Sequence, residues 1–414
     1  DQCAGGDDRN DSDGDGTPND CDVDITLQHQ NSLVSFWAIP DDASLSNMIS
    51  NHDCDFQAII GEGAASAMEP ETMEWFGSVQ ELHCDSGYWV KRGNDNSCEY
   101  NIIGDGLEGE YCSEYDEEIV YTFDEFAKLI SYPYSIIQDI SGIEGLCESG
   151  YINGIISEGI AATCNNGSFY GSLTDFIPGK GYWFQSEGSG DEFSYPIPSD
   201  DGLTRTAKVM PVVPAEFTFN QSIRQAFYFV EDIDLQHSSI SIGDWLIAYN
   251  ENTIVGARMW TGELTDIPVM GFDSEDNTLN YCKEGDTPHF KVFKTQTGEL
   301  LTLGQETIPA WNDLGMYTIN LAEKLVPESF SLDRAYPNPF NPVTTINFAL
   351  PIKAKVLLEV YDINGRITKL LTDSVLESGY HSIVWNASNN SSGIYFIRMQ
   401  SGEFKSMQKL MLVK

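Results

Sequence analysis

Short apolar runs rich in β-branched and aromatic residues recur along the chain, separated by residues that favour turns. Trp245-Leu246-Ile247-Ala248-Tyr249 is one such run, Ile254-Val255-Gly256-Ala257-Arg258 is the next, and Asn250-Glu251-Asn252 lies between them. Runs of about five residues between Gly, Asn and Asp are typical of β-strands. The pattern therefore predicts a mainly β protein.

One set of apolar runs occurs twice. Leu33-Val34-Ser35-Phe36 returns 96 residues later as Leu129-Ile130-Ser131-Tyr132, and Gly87-Tyr88-Trp89-Val90 returns 94 residues later as Gly181-Tyr182-Trp183-Phe184. A single two-residue deletion explains the change of offset. We therefore predict two copies of one β-rich module, at residues 27–103 and 122–198, joined by an acidic connector at 104–121.

The predicted repeats also contain two places where helix signals occur. Asp41 precedes Ala43-Ser44-Leu45, and Asp124 precedes Glu125-Phe126-Ala127. An acidic residue just before the first turn stabilises a helix by accepting from free backbone N–H groups. We therefore expect a short helix after each aspartate.

The repeats place one glutamate in each copy, Glu62 and Glu158, within matching Ile-Ile-x-Glu-Gly stretches. Two carboxylates are what glycoside hydrolysis uses as acid and base. Because each glutamate belongs to its own copy, however, the pattern favours a structural role, in which each carboxylate closes a loop, and not a catalytic pair.

The Gly-Tyr-Trp runs leave a similar choice between two roles. Aromatic rings on an exposed sheet bind sugars, whereas aromatic residues alternating with small ones are typical of a core.

A third β module is predicted at 208–322. Its expected strands are the two runs already given together with Phe217-Thr218-Phe219, Ala226–Val230 and His289–Phe293, a spacing typical of an antiparallel sandwich. Gly243-Asp244-Trp245 and Pro268-Val269-Met270-Gly271 resemble motifs of a module that recurs in secreted multidomain bacterial proteins, and no activity follows from that resemblance. An acidic loop at Asp273, Glu275 and Asp276 is either a solvated turn or a second calcium site.

The last 85 residues begin with Phe330-Ser331-Leu332 and continue through a Pro-Asn-Pro turn at 337–339. Apolar runs then flank Asn364-Gly365, a dipeptide suited to the positive φ angles of a tight hairpin. In order and spacing, residues 330–414 resemble the C-terminal sorting domain of substrates of the type IX secretion system. The resemblance implies an immunoglobulin-like β-sandwich of about seven strands, contact with the secretion machinery, and delivery to the outer surface of a Gram-negative bacterium.

Composition agrees with an extracellular destination. The chain has 64 acidic and 22 basic residues, a net charge of −42, yet only 21% of its residues are charged and 12% are aromatic. Such a chain folds, and its surface is acidic. A negative field repels nucleic acid and anionic lipid and attracts divalent cations. Because no run of about 18 apolar residues occurs, no membrane span is predicted; the sequence starts at Asp1, which suggests a processed product.

Nine cysteines precede residue 283, and their spacing fits neither a zinc ribbon nor a redox Cys-x-x-Cys. In a secreted acidic protein we expect disulfides. Proximity favours the pairs Cys3–Cys21, Cys54–Cys84, Cys98–Cys112 and Cys147–Cys164, leaving Cys282 single. Exchange between the second and third pairs stays open, because spacing does not fix connectivity.

The N-terminal segment, residues 1–26, contains an acidic loop with the offsets of a calcium site. Its oxygen ligands are predicted at Asp11, Asp13, Asp15, Asn19 and Asp22, with a backbone carbonyl from Thr17. Calcium takes six to eight oxygens, and alternate residues of a tight loop supply them while Gly16 permits the turn. Pro18 and Cys21 distinguish the loop from an EF-hand, and it resembles a thrombospondin type 3 repeat. We therefore predict calcium as the cofactor.

The sequence lacks the nucleophile elbow, zinc-protease and phosphate-loop motifs, and its six histidines are scattered. We therefore expect a non-catalytic structural or adhesive surface protein. Because the sequence carries an acidic arm at one end and a β domain at the other, head-to-tail contacts would build a filament. A secreted carbohydrate-binding protein is the alternative, and an undetected hydrolase is the third possibility.

Overall fold

The computed structural model describes residues 24–414 except 28, 41, 50–53, 95, 102–108, 113–118, 124–125, 187–190, 199–207, 237, 306, 325–326, 328 and 377. Nearly all regular structure among these residues is β-strand, which confirms the predicted mainly β fold class. The chain divides into two compact units. One comprises Asp1–Leu300 with Gln305–Leu321, and the other comprises Leu301–Gly304 with Ala322–Lys414.

The first repeat and the connector form short strands and one helix. These are β1 (Asp24–Leu27), β2 (Asn31–Ser35), β3 (Ala38–Pro40), α1 (Leu45–Met48), β4 (Phe56–Gly61), β5 (Ala64–Met68), β6 (Trp75–Gly77), β7 (Gly87–Arg92), β8 (Cys98–Asn101) and β9 (Gly109–Tyr111). The central antiparallel sheet has five strands in the order β2-β7-β4-β5-β6, and β1-β8 and β3-β9 form two-stranded ribbons. Apolar side chains of β2, β4 and β7 form the core of this repeat with α1.

The second repeat has the same plan. Its elements are β10 (Tyr121–Phe123), β11 (Ala127–Ile130), β12 (Gln138–Asp139), a 3-10 helix (Ile140–Ile143), α2 (Glu144–Glu148), β13 (Ile152–Ile156), β14 (Ala161–Asn165), β15 (Ser168–Gly171), β16 (Asp175–Phe176), β17 (Tyr182–Ser186) and β18 (Asp191–Phe193). The five-stranded sheet runs β11-β17-β13-β14-β15, position for position the order of the first repeat. The sequence repeat therefore corresponds to a repeat of strand topology.

The helix expected after Asp124 is wrong, because Ala127 begins strand β11. The helical segment of this repeat lies instead at Ile140–Glu148, which is where the 96-residue offset carries helix α1. Asp139 caps it, since its carboxylate accepts from the N–H of Ser141 at 2.7 Å. A helical segment with an acidic cap is therefore present in this repeat, but it follows strands β11 and β12 and does not precede them.

Aromatic side chains fill the core of the second repeat. Phe176 packs against Tyr195 at 4.9 Å between ring centroids and stacks on Tyr132 at 5.8 Å. Edge-to-face pairs of this kind stabilise a core beyond their buried area. Burial raises the pKa of the Tyr132 and Tyr195 phenols far above their usual range, so both stay neutral.

Three disulfides join described cysteines: Cys54–Cys98, Cys84–Cys112 and Cys147–Cys164. The favoured pairs Cys54–Cys84 and Cys98–Cys112 are therefore wrong, and the exchange between them that the sequence left open is what the structure shows; Cys147–Cys164 is confirmed. The reason is topological. Strand β8 pairs with β1, and Cys98 at its start lies 5.6 Å from Cys54 between Cα atoms, although the two are 44 residues apart in sequence. Cys282 is a free, buried thiol, as expected, and Cys3 and Cys21 lie outside the described residues.

The third module contains β19 (Gln225–Asp234), β20 (Trp245–Asn250), β21 (Thr253–Met259), β22 (Thr265–Met270), β23 (His289–Lys294), β24 (Glu299–Gly304) and β25 (Met316–Glu323). They form one sheet in the order β21-β20-β23-β24-β25-β19-β22. The sheet curls so that its end strands meet: a Cβ on Gly256 of β21 would lie 1.6 Å from the Pro268 carbonyl oxygen of β22. Only glycine permits that approach.

Two sequence features of this module are now explained. The strand expected at Phe217-Thr218-Phe219 is wrong, because Ala215–Phe217 forms a 3-10 helix. The hydrogen bond from the Phe217 N–H to the Pro214 carbonyl closes its turn. Asp244 of the Gly-Asp-Trp motif is buried and accepts from the Lys294 ammonium at 2.6 Å and from the Thr295 N–H at 3.0 Å. The aspartate of the motif therefore stabilises the pairing of strands β20 and β23, because it joins the start of one to the end of the other.

The C-terminal unit is a two-sheet sandwich. Its strands are β26 (Ser331–Leu332), β27 (Val343–Leu350), β28 (Ala354–Asp362), β29 (Ile367–Leu376), β30 (Gly379–Asn386), β31 (Gly393–Ser401) and β32 (Phe404–Leu412). One sheet runs β26-β27-β30 and the other β29-β28-β31-β32, with Trp385, Val360 and Ile397 between them. At the predicted Asn364-Gly365 turn, the Gly365 φ is +76° and the Asp362 carboxylate accepts from the Asn364 and Arg366 N–H groups.

Candidate functional site

The two repeats meet through a pair of equivalent contacts. The carboxylate of Glu158 accepts a hydrogen bond from the backbone N–H of Leu33, and that of Glu62 accepts from the N–H of Leu129, each at 3.2 Å. The glutamates are 96 residues apart, and so are the leucines. Each repeat therefore uses its glutamate to hold the edge strand of the other, as in an isologous dimer built into one chain.

Strand edges continue this pseudo-twofold interface. Single antiparallel bridges pair Val34 with Lys180 and, in the equivalent place, Ile130 with Ser86. The Ser35 hydroxyl donates to the Lys180 carbonyl at 2.6 Å, and the equivalent Ser131 hydroxyl donates to the Cys84 carbonyl at 2.5 Å. Backbone carbonyls of each repeat thus accept hydrogen bonds from the other repeat, and the two repeats belong to one compact unit.

Both Gly-Tyr-Trp tryptophans lie at this interface. Trp89 is 3% exposed and packs with Leu33 and Leu129, and Trp183 is partly buried against the same cluster. A ring that stacks on a sugar must present its face to solvent. The two rings therefore belong to the core between repeats, the structural alternative of the two that the sequence left open.

The two glutamates differ in their surroundings. The Glu158 side chain is 7% exposed and also pairs with Lys180 at 3.0 Å, whereas Glu62 is exposed at the rim of a cleft. A general acid or base needs a free lone pair aimed at a substrate. Since both carboxylates hold a backbone N–H of the opposite repeat, their geometry favours the structural interpretation.

The third module covers one face of the second repeat. The Arg258 guanidinium donates to the Gly159 carbonyl at 2.6 Å, and the Gln225 amide donates to the Ser157 carbonyl at 2.8 Å. The Ser172 hydroxyl donates to Asp266 at 2.7 Å, and Asp266 also pairs with Arg258 at 3.0 Å. Burial raises the pKa of the Asp266 carboxyl against the opposing effect of Arg258.

Apolar side chains complete that contact. Phe227 and Phe229 of the third module pack on Ile156 and Ala161 of the second repeat, and all four are buried. Burial of two phenylalanines stabilises such a contact by several kcal/mol, about 2 kcal/mol each. The second repeat is therefore fixed to the third module.

No described residue of the third module covers the equivalent face of the first repeat. Gly63 and Gly159 occupy equivalent turns with the same φ of +67°, yet a Cβ on Gly159 would meet Gln221 at 2.9 Å while one on Gly63 would meet nothing within 4 Å. A cleft of about 640 Å³ lies there, lined by residues of the first repeat and by the start of the second. This cleft is the candidate functional site.

Polar and acidic groups line the cleft. Glu81 and Asp85 are exposed at its wall beside His83. Lys128, opposite, donates to the Thr122 carbonyl at 2.5 Å. Tyr88 closes the floor, where its hydroxyl accepts from the His83 N–H at 3.0 Å, and burial raises the pKa of its phenol. The cleft therefore presents excess negative charge to an incoming partner.

The acidic loop at Asp273, Glu275 and Asp276 connects the third module to the first repeat. Asp273 is buried and accepts from the Asn31 amide at 3.3 Å and from the Thr278 hydroxyl at 2.5 Å. Glu275 pairs with Lys91 at 2.5 Å. These carboxylates connect the third module to the first repeat, an outcome that sequence alone did not indicate because Asn31 and Lys91 are distant in sequence.

The predicted calcium ligands Asp11, Asp13, Asp15, Thr17, Asn19 and Asp22 lie outside the described residues. Within the described part of the chain, no three His, Cys, Asp or Glu side chains converge as a metal site. The described helices are also too short to cross a bilayer.

These observations define a disulfide-linked multidomain β protein with a separate C-terminal sandwich. Residues 334–414 match the family model "Secretion system C-terminal sorting domain". The segment is thus a type IX sorting domain, and it directs the protein to the cell surface or the extracellular space. The predicted resemblance of this segment and the predicted destination are confirmed.

No curated protein matches the chain. Among solved structures, dimeric latent PorU from Porphyromonas gingivalis is 12% identical over 64% of this chain and 30% of that chain, with a TM-score of 0.17. PorZ, a surface component of the type IX secretion system of the same organism, is 13% identical over 87% and 45%, also with a TM-score of 0.17. The chain thus spans less than half of either protein, and similarity at this level carries no argument about function.

Proposed function

We propose that the protein is a non-catalytic structural or adhesive component of the cell surface, one that self-associates after export by the type IX route. The observation that carries this proposal is the reciprocal contact of Glu62 and Glu158. The two residues best suited to acid–base chemistry hold the repeats together instead.

The acidic N-terminal loop is the proposed calcium site. Asp11, Asp13, Asp15, Asn19 and Asp22 would supply side-chain oxygens, and Thr17 a carbonyl, at the offsets that calcium loops use. Neutralising these carboxylates removes their mutual repulsion, so calcium would rigidify the end of the chain that precedes the repeats.

The polar joints support a structural role. Two repeats and a third module make one compact unit through the reciprocal glutamate contacts, a buried Arg258–Asp266 pair and a shared apolar core. Breaking a buried ion pair costs several kcal/mol, so the modules of such a unit resist separation when force is applied to its surfaces. Head-to-tail association through two different surfaces would extend it into a filament.

Light scattering after size-exclusion chromatography of the full chain in calcium tests self-association. We expect the mass to rise with protein concentration, and negative-stain images to show linear particles. A single monomeric species throughout would contradict self-association. Hydrolysis of a polysaccharide that disappears in Glu62→Gln, which retains a hydrogen-bond acceptor, would contradict the non-catalytic assignment.

A further inference from the structure

We propose that the open face of the first repeat docks the four-stranded sheet of the C-terminal unit from a second copy of this chain. The open face is defined by Gly63, Ala65, Phe76, Ser78, Glu81 and Asp85, which border the cleft or adjoin it on strands β5 and β6. The inference rests on the self-association proposed above, and it adds which two surfaces meet.

The second repeat shows what this kind of face binds. There, Gly159, Ala161 and Ser172 contact the third module through an arginine, a carboxylate and two phenylalanines. Ala161 is fully buried in consequence. The occupant of such a face is thus another β-sheet that offers a cation and apolar side chains.

The first repeat presents the same groups, and none of the residues that the structure describes covers them. Gly63, Ala65 and Ser78 stand at the positions of Gly159, Ala161 and Ser172, and all three are exposed. Phe76 is 58% exposed and Met73, on the adjoining turn, is 65% exposed. Exposed apolar side chains beside a polar rim are characteristic of interaction surfaces.

Charge identifies the occupant. The open face carries Glu62, Glu81 and Asp85. In the second repeat, Gly179 replaces Asp85, Lys180 replaces Ser86, and the counterpart of Glu81, Asp175, is buried. The open face is therefore more negative than its counterpart and selects a more cationic sheet than the third module offers. Residues 330–414 hold nine Lys and Arg against six Asp and Glu, whereas residues 1–329 hold 13 against 58. The C-terminal unit is therefore the cationic part of this acidic chain, and opposite potentials favour contact between copies.

The four-stranded sheet of that unit has the required surface. Lys405, Met407 and Lys409 alternate along β32 and are exposed on one side of the sheet. Met407 lies opposite Arg398 on β31, and Lys409 lies opposite Phe396. Leu370 and Val375 of β29 add exposed apolar surface. Cations and apolar side chains thus share one face, as they do where the third module covers the second repeat.

Charge reversal on the full chain tests the pairing. One variant carries Glu81→Lys and Asp85→Lys, a second carries Lys405→Glu and Lys409→Glu, and a control carries Glu216→Lys and Asp232→Lys at exposed positions of the third module. Sedimentation velocity in calcium at low salt measures association. We expect each of the first two variants to associate at least tenfold more weakly than the wild type, and the control to match the wild type.

Mixing the two interface variants in equal amounts should restore association, because their reversed charges are complementary. Unchanged association of both single variants, or a mixture that stays monomeric, would overturn the pairing while leaving self-association intact. If the wild type itself never associates, the proposed function fails in its self-assembly, and the pairing fails with it.

Discussion

The carboxylate of Glu158 accepts a hydrogen bond from the backbone N–H of Leu33, 125 residues earlier in the chain, at 3.2 Å. Its counterpart Glu62 makes the same bond to Leu129. The duplication thus yields two modules that complete each other's edge strands. The symmetry ends at the third module, which covers the Gly159 face of the second repeat but contacts the first repeat elsewhere, through Asp273 and Glu275.

The two glutamates should differ in their effect on stability. Glu158→Ala leaves a buried N–H and the Lys180 ammonium without their acceptor, and we expect the free energy of unfolding to fall by about 2 kcal/mol. Glu62→Ala should cost less, about 0.5 kcal/mol, because water reaches the exposed site. Urea denaturation of the two variants measures both. Equal losses would contradict the difference in burial.

A pair of glycine substitutions tests whether the faces are equivalent apart from their occupant. Gly63→Ala and Gly159→Ala impose the same strain at φ +67°, about 1 kcal/mol. Only the second pushes a methyl group against Gln221, so we expect Gly159→Ala to destabilise the protein more, by about 1 kcal/mol further. Thermal unfolding of the two variants compares them directly. Identical melting temperatures would show that Gly159 is not covered.

Sequence predicted local features better than long-range ones. The repeats, the hairpin at Asn364-Gly365 and the sorting domain follow from runs and turns a few residues long. The Cys54–Cys98 pair and the Glu158–Leu33 contact depend on which strands become neighbours, and residue spacing does not specify that. The open cleft was equally hidden, because it exists only where the third module covers the Gly159 face of one repeat and not the equivalent Gly63 face of the other.

The corrected disulfide pairing has a direct chemical test. Proteolysis without reduction, followed by mass spectrometry, should give peptides linked through Cys54–Cys98 and Cys84–Cys112. Replacing Cys54 and Cys98 together by Ser should lower the free energy of unfolding by about 4 kcal/mol, since the bond closes a long loop. Recovery of Cys54–Cys84 as the main product would contradict the fold of the first repeat.

Calcium binding is expected to depend on the N-terminal loop. Asp13→Asn with Asp15→Asn removes two negative ligands, and we expect the calcium affinity to fall at least tenfold. Isothermal titration calorimetry measures the change. Asp273→Asn is the matched control, because that carboxylate already holds Asn31 and Thr278, and it should leave uptake unaltered. Equal losses in both variants would place the ion elsewhere.

The buried thiol of Cys282 should make stability depend on alkaline pH. Burial, with a smaller effect of Asp286, raises its pKa from 9.0 to about 12. Between these values the unfolded chain releases the proton first, so rising pH favours unfolding by about 1.4 kcal/mol per unit. The stabilisation is complete below pH 9 and is lost as the pH approaches 12.

Cys282→Ala removes this pH dependence of the free energy of unfolding while adding a constant cost for the lost contacts. The free energies of unfolding of the two proteins, measured by urea denaturation from pH 8 to 10.5, should therefore converge by about 2 kcal/mol at the upper end. Parallel curves would show that the thiol reaches solvent in the folded protein.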